Sequence, residues 1–315
     1  MQTCLLKLVN AFFRLIRWPN LIFIAITQVL FMYCVLQPLL AAGNKKPSLN
    51  YGNFFLLIIS SVFIAAAGYI INDYFDMNID RINKPERLIV QKFIKRRWTI
   101  VWHFFLSMAG VAIGFYLDLT SRVTLLGFSN LICACLLFIY SISLKKKLLS
   151  GNVLISLLTA WTVLVVTWCE ARFFFNPADV NIRKIIRVTF LYAGFAFITS
   201  LIREAVKDME DIEGDRKYGC KTMPIVWGIQ ASKIYTAIWL TTIILILFLL
   251  TIYMLQLHWW LAAIYCLLLI IIPLIDIFRK LYKAQTPQDY HKLSGMIKLV
   301  MLTGILSMIF FRIYS

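Results

Sequence analysis

The chain has 315 residues, 61% of them hydrophobic, and a mean hydropathy of +0.80. Those values exclude an ordinary soluble globular domain. Its 32 Lys and Arg outnumber 15 Asp and Glu, for a net charge of +17. The excess is strung between apolar runs, which assigns it to a membrane face and to phosphate ligands rather than to nucleic acid.

The start, "MQTCLLKLVNAFFRLIRWPNLIF", lacks a small-residue cleavage site, and Arg14 and Arg17 interrupt any short apolar core. It is therefore not read as a removable signal peptide. Residues 1–20 are expected to form an interfacial amphipathic segment, with Phe12, Phe13, Leu15 and Ile16 near lipid. Apolar runs follow near 21–43, 54–72, 98–118, 123–143, 152–171, 185–204, 231–253, 258–278 and 293–313. Each is long enough to cross a hydrocarbon core about 30 Å thick as a helix. The expected fold is all-α: a polytopic membrane helical bundle of nine transmembrane helices, forming a single integral-membrane domain over 1–315.

Nine crossings put the termini on opposite sides. The segment before the first run and those after the second, fourth, sixth and eighth hold 24 Lys and Arg, against 8 on the other side. Positive residues favour the cytoplasm, so the N-terminus and the longer polar connections, 73–97 and 205–230, are placed inside. Those two connections are expected to be cytoplasmic motif loops.

They also answer each other. "YIINDYFDMNIDRINKPER" follows the second run and "REAVKDMEDIEGDRKYG" the sixth. At an offset of 135 residues, Asp73, Asp76 and Asp80 align with Asp208, Asp211 and Asp215, and Arg81 with Arg216. The match suggests an internal duplication. Positions i, i+3 and i+7 fall within about 60° of one another on a helix, so each aspartate triad is expected to project together. Glu210 and Glu213 fall on the opposite side and are read as solvated.

Converging carboxylates at helix C-termini repel one another and oppose the helix dipole, so a cation is expected among them. All-oxygen ligands suit Mg2+, which binds through a few carboxylates plus substrate phosphates. The seven cysteines are scattered and the three histidines far apart, indicating neither a disulfide framework nor a zinc site. Two carboxylate–Mg2+ motifs make a device for holding a diphosphate and neutralising the charge that grows as it leaves. Lys84, Arg87, Lys145, Lys146, Arg203, Lys207, Arg216 and Lys221 lie close enough in sequence to help. A diphosphate leaving into an apolar site points to an allylic prenyl donor and a lipophilic acceptor, with membrane lipid around both.

At these residues the chain resembles the UbiA-type intramembrane prenyltransferases. The family's N-D-x-x-D-x-x-x-D motif stands as Asn72, Asp73, Asp76 and Asp80, and its second motif as Asp208, Asp211 and Asp215. "YSISLKK" from Tyr140 and "GCKTMPIVWG" from Gly219 agree as well. The motif wording looks most like the branch that adds a second geranylgeranyl chain to geranylgeranylglyceryl phosphate. After Arg87 the chain departs from the family's Pro and Ser-Gly turn, with "LIVQKF" instead. The resemblance implies that Asn72 and the six aspartates bind Mg2+ and diphosphate, with Asp76, Asp80, Asp211 and Asp215 at the chemistry. It further implies that Arg87, Lys145 and Lys207 contact phosphate, that Tyr140 lines the pocket, and that Arg17 contacts the acceptor.

Two other functions stay open on sequence: an aromatic prenyltransferase for quinone or chlorophyll-type precursors, and an ion-coupled transporter. A transport path should carry ionisable groups near mid-bilayer on several spans, whereas here the acids gather at one face. Oligomeric state is not legible.

Overall fold

The computed structural model describes residues 2–83, 89–91, 93–121, 123–173 and 180–314, and of residues 2–7 the backbone alone. The described residues are helical almost throughout, apart from one isolated bridge between Val90 and Ile94. The chain divides into two compact units.

The first unit comprises Met1–Gln28, Pro47–Lys146 and Trp168–Phe175. It holds α1 (Gln2–Leu15), the start of α2 (Trp18–Ala42), α3 (Tyr51–Asn83), α4 (Arg96–Ser121) and α5 (Leu126–Ile142). Small residues let these helices approach closely, as is usual where lipid supplies no hydrophobic drive between them. A methyl group added at Gly114 would come within 2.9 Å of the Gly127 Cα, and one at Gly110 within 3.1 Å of the Ser60 carbonyl oxygen. The polar groups in that contact satisfy each other: Ser60 Oγ donates to the Gly110 carbonyl at 2.7 Å, and Asn130 donates to Ser60 Oγ at 2.8 Å. Asp118 accepts from the backbone N–H groups of Leu126 and Gly127 at 2.9 and 2.8 Å, covering donors that the α5 N-terminus would otherwise leave orphaned.

The second unit comprises Val29–Lys46, Lys147–Thr167 and Asn176–Ser315. It holds α6 (Ser150–Trp168), α7 (Val180–Glu210), the short α8 (Ile212–Lys217) and α9 (Met223–Val226), α10 (Gly228–Gln256), α11 (Trp260–Lys283) and α12 (Pro287–Tyr314). Its core is a set of helical stripes. Ile202, Val206 and Met209 of α7 pack with Leu240, Ile243 and Leu247 of α10, with Leu274, Ile277 and Leu281 of α11, and with Tyr290, Leu293, Ile297 and Val300 of α12. Spacings of three and four keep each stripe on one helical face. A capping box at Thr286 and Asp289 fixes where α12 begins.

Among the described residues, eight helices are long and apolar enough to cross a membrane, and α5, of 17 residues, is a shorter apolar helix. It falls within the expected run near 123–143. Large side chains such as Met108, Leu119, Phe190 and Leu249 stand 66–87% exposed on these helices, which suits a surface solvated by lipid tails.

Three expectations change. The segments 73–97 and 205–230 are not loops from their first residue: α3 continues to Asn83 and α7 to Glu210, because polar turns extend a helix past its apolar stretch. In α1 and the turn after it, Leu15 (0% exposed) and Ile16 (9%) are not turned to lipid. They pack with Ala66, Ala67, Ile70 and Met77 of α3, while Phe13 stays exposed. Finally, the helical face of the second triad is interrupted at Asp211, as described next.

Candidate active site

The first motif occupies the last turns of α3, where a continuous helix carries Asp73, Asp76 and Asp80 on one face. Arg17 Nη2 lies 2.6 Å from Asp73 Oδ1, and its guanidinium sits 5.2 Å from the centre of the Tyr69 ring. The turn joining α1 to α2 makes this possible, with Arg17 at φ 52° in the left-handed region. The Asp73 charge raises the Arg17 pKa against the opposing cost of desolvation, with smaller support from Tyr69 and Asp80. Asp76 forms an ion pair with Lys145, whose side chain is 10% exposed. Lys145 stands on the single 3₁₀ turn Leu144–Lys146 that follows α5, and Tyr140 is half-buried in the last turn of that helix. Asn72 Oδ1 is buried with no hydrogen-bond partner among the described residues. Arg87, Lys84 and Lys92 lie outside the described residues.

The second motif spans a break. α7 ends at Glu210, Asp211 adopts φ −98° and ψ 12°, and Asp215 belongs to α8. The three aspartates are therefore not one uninterrupted helical stripe, although Asp211 N–H still donates to the Lys207 carbonyl at 2.9 Å. Asp208 Oδ2 accepts from Asn152 Nδ2 at 2.8 Å. Glu204, Asp215 and Asp211 are all close enough to repel the Asp208 charge. Lys207 turns to Glu204 at 2.6 Å, and Arg203 approaches the same carboxylate at 3.4 Å.

Glu213 is exposed, as expected, but Glu210 is not solvated. Its side chain is 8% exposed and pairs with His291 at 3.0 Å, because α12 covers that side of α7. Sequence reading missed Asn152, Glu204 and His291. Asn152 is a polar residue in an apolar stretch of α6, whereas Glu204 and His291 stand among other charged and polar residues, so nothing in their spacing marks a partnership.

What could each motif hold? Among the described residues, no three His, Cys, Asp or Glu side chains converge tightly enough to cage a metal on their own. Mg2+ needs no such cage, since it keeps waters and takes one or two carboxylates plus substrate phosphates. The donor set here is oxygen throughout, and the repelling carboxylates around Asp208 suit a divalent cation. The residues fit the ion. In the first motif, Arg17 and Lys145 supply positive charge beside the carboxylates.

Residues 29–302 match the UbiA prenyltransferase family. The chain belongs to that family. A digeranylgeranylglyceryl phosphate synthase of Methanosphaera stadtmanae is 31% identical over 249 residues, covering 78% of this chain and 83% of the relative. A solved structure of digeranylgeranylglyceryl phosphate synthase in membranes superposes with a TM-score of 0.59 at 25% identity, over 96% of this chain and 99% of that one. A UbiA homolog from Archaeoglobus fulgidus bound to DMAPP and Mg2+ has a TM-score of 0.57 at 14% identity, covering 94% of this chain and 98% of its own. That last likeness establishes the fold alone.

Proposed function

We propose that the protein transfers a geranylgeranyl group from its allylic diphosphate to geranylgeranylglyceryl phosphate, releasing diphosphate. The observation that carries the reading is the pairing of two aspartate motifs with a curated relative of that activity, matched over 83% of its length. Mg2+ supports the same reading, because the donor set is all oxygen and a family member is known bound to an allylic diphosphate and Mg2+.

Asn72, Asp73, Asp76, Asp80, Asp208, Asp211 and Asp215 hold the metal and orient the diphosphate. Bound Mg2+ supplies neutralisation of the charge that develops on the leaving oxygens. Lys145, Lys207 and Arg87 hold phosphate oxygens, and Tyr140 borders the prenyl chain. The allylic C–O bond breaks and its electron pair leaves with the diphosphate. The apolar helices keep water from the resulting carbocation. The acceptor hydroxyl oxygen then bonds to the allylic carbon, and its proton passes to a motif carboxylate or to the released diphosphate. Arg17, the proposed acceptor contact, also pairs with Asp73 of the first motif.

The protein works as a single membrane domain crossing nine times, with α5 as the shortest crossing. Its N-terminus and both motifs face the cytoplasm. Purified protein in detergent or vesicles, given labelled geranylgeranyl diphosphate and a panel of acceptors, tests the assignment. Product from geranylgeranylglyceryl phosphate supports it. Prenylation of 4-hydroxybenzoate or a naphthoate alone would transfer the protein to quinone biosynthesis.

A further inference from the structure

The internal alignment makes Asp73 and Asp208 equivalent, since each opens its triad at the same offset of 135 residues. Their partners are not equivalent. Asp73 is held by a cation, Arg17, at 2.6 Å. Asp208 is held by a neutral amide, Asn152, at 2.8 Å. Among the described residues, no Lys or Arg pairs with Asp208, and the charges acting on it are the carboxylates Glu204, Asp215 and Asp211.

A carboxylate only accepts, so the contact must use the Asn152 NH2 group as donor. Asn152 is 7% exposed and sits in the first turn of α6, so its side chain has little freedom to turn away. One hydrogen bond to Oδ2 fixes the rotation of the Asp208 carboxyl group and brings no charge of its own to the motif. An Arg or Lys at the same place would fix the rotation equally well and neutralise the charge.

We infer that Asn152 is a positioning residue that orients Asp208 toward Mg2+ without neutralising it, making the second motif the stronger metal-binding half. This rests on the proposed binding of Mg2+ to the motifs. The first motif, already partnered by Arg17 and Lys145, is correspondingly suited to the diphosphate oxygens and binds metal more weakly.

The test compares Asn152→Leu, which removes the donor at similar size, with Asn152→Lys, which adds a cation. Full-length protein is used in both arms. Binding of Mn2+ is followed by electron paramagnetic resonance with a non-hydrolysable prenyl thiodiphosphate present, alongside the Mg2+ dependence of turnover. Asn152→Leu is expected to raise the Mg2+ concentration for half-maximal rate roughly 10-fold, the scale of one hydrogen bond to a charged group. Its rate at saturating Mg2+ and its acceptor KM should move little. Asn152→Lys should weaken Mn2+ binding further than Asn152→Leu. Asn152→Leu added to Asp208→Asn should cost nothing more, because the residue acts through Asp208. Unchanged metal affinity with only a lowered melting temperature would make Asn152 a structural residue and overturn the inference. So would stronger Mn2+ binding in Asn152→Lys. Absence of any metal-dependent turnover in the unaltered protein would instead refute the proposed function.

Discussion

At the scale of single residues, Asp73, Asp76 and Asp208 each take a partner from outside the motifs, a cation for the first two and a neutral amide for the third. Lys145 neutralises Asp76, so Lys145→Met leaves a half-buried carboxylate without its cation and removes a proposed phosphate contact. The expected result is a KM for the prenyl diphosphate raised about 10- to 100-fold, the equivalent of 1.5–3 kcal/mol for a charged hydrogen bond. Steady-state kinetics with varied donor reads it directly. The two glutamates of the second motif should separate from each other. Glu213→Gln alters an exposed side chain and should leave both stability and rate near normal. Glu210→Gln weakens the contact with His291 and should lower the melting temperature while turnover survives. Equal loss of activity in the two variants would show that both glutamates serve the chemistry. The aspartates and Lys145 could be read from spacing and family wording. Asn152 could not, because a lone Asn on an apolar helix has no periodic signature, and its partner lies 56 residues away.

At the scale of elements, hydropathy located every apolar helix but misjudged where the motif helices end. The run near 54–72 became α3 over Tyr51–Asn83, since Asp73, Asp76 and Asp80 sit on helical turns that carry no apolar signal. The break at Asp211 was equally hidden: a spacing of i, i+3, i+7 fits a helix and does not disclose an interruption. The end of α3 remote from its motif shows a different device. Glu170, 2% exposed, accepts from Ser48 N–H at 2.8 and 3.0 Å and from Ser48 Oγ at 2.7 Å. Burial raises the Glu170 pKa, with the Ser48 hydrogen bonds and Arg172 opposing. A carboxyl whose folded pKa is raised holds its proton more tightly in the native state. Its contribution to stability is then fully present below the unfolded carboxyl pKa and declines as pH rises toward the folded value. Glu170→Gln keeps an acceptor for Ser48 and cannot ionise, so it should flatten that part of the stability–pH curve. Thermal denaturation from pH 4 upward, in both proteins, would show parallel curves if the carboxyl did not titrate with folding.

At the scale of the whole molecule, each of the two units carries one motif at the end of a long helix, 33 residues in α3 and 31 in α7, the second motif running past the break at Asp211 into α8. This is the arrangement expected of a duplicated half, and the positive-charge asymmetry of 24 against 8 carries the proposal that both motif-bearing ends face the cytoplasm. Single cysteines introduced into a cysteine-free background test that orientation. Tyr218→Cys, at an exposed position after the second motif, should be shielded from an impermeant maleimide in right-side-out vesicles, while Asn44→Cys should react. The reverse pattern would invert the topology. The central claim, that the aspartate motifs with Mg2+ drive departure of a diphosphate from a prenyl donor, is tested most directly by measuring diphosphate released from geranylgeranyl diphosphate in the presence of geranylgeranylglyceryl phosphate. Release should be matched one-to-one by ether product, abolished by chelation, restored by Mg2+, and cut by orders of magnitude in Asp76→Asn and Asp211→Asn. Release that continues undiminished in either aspartate variant, or without divalent metal, would contradict it.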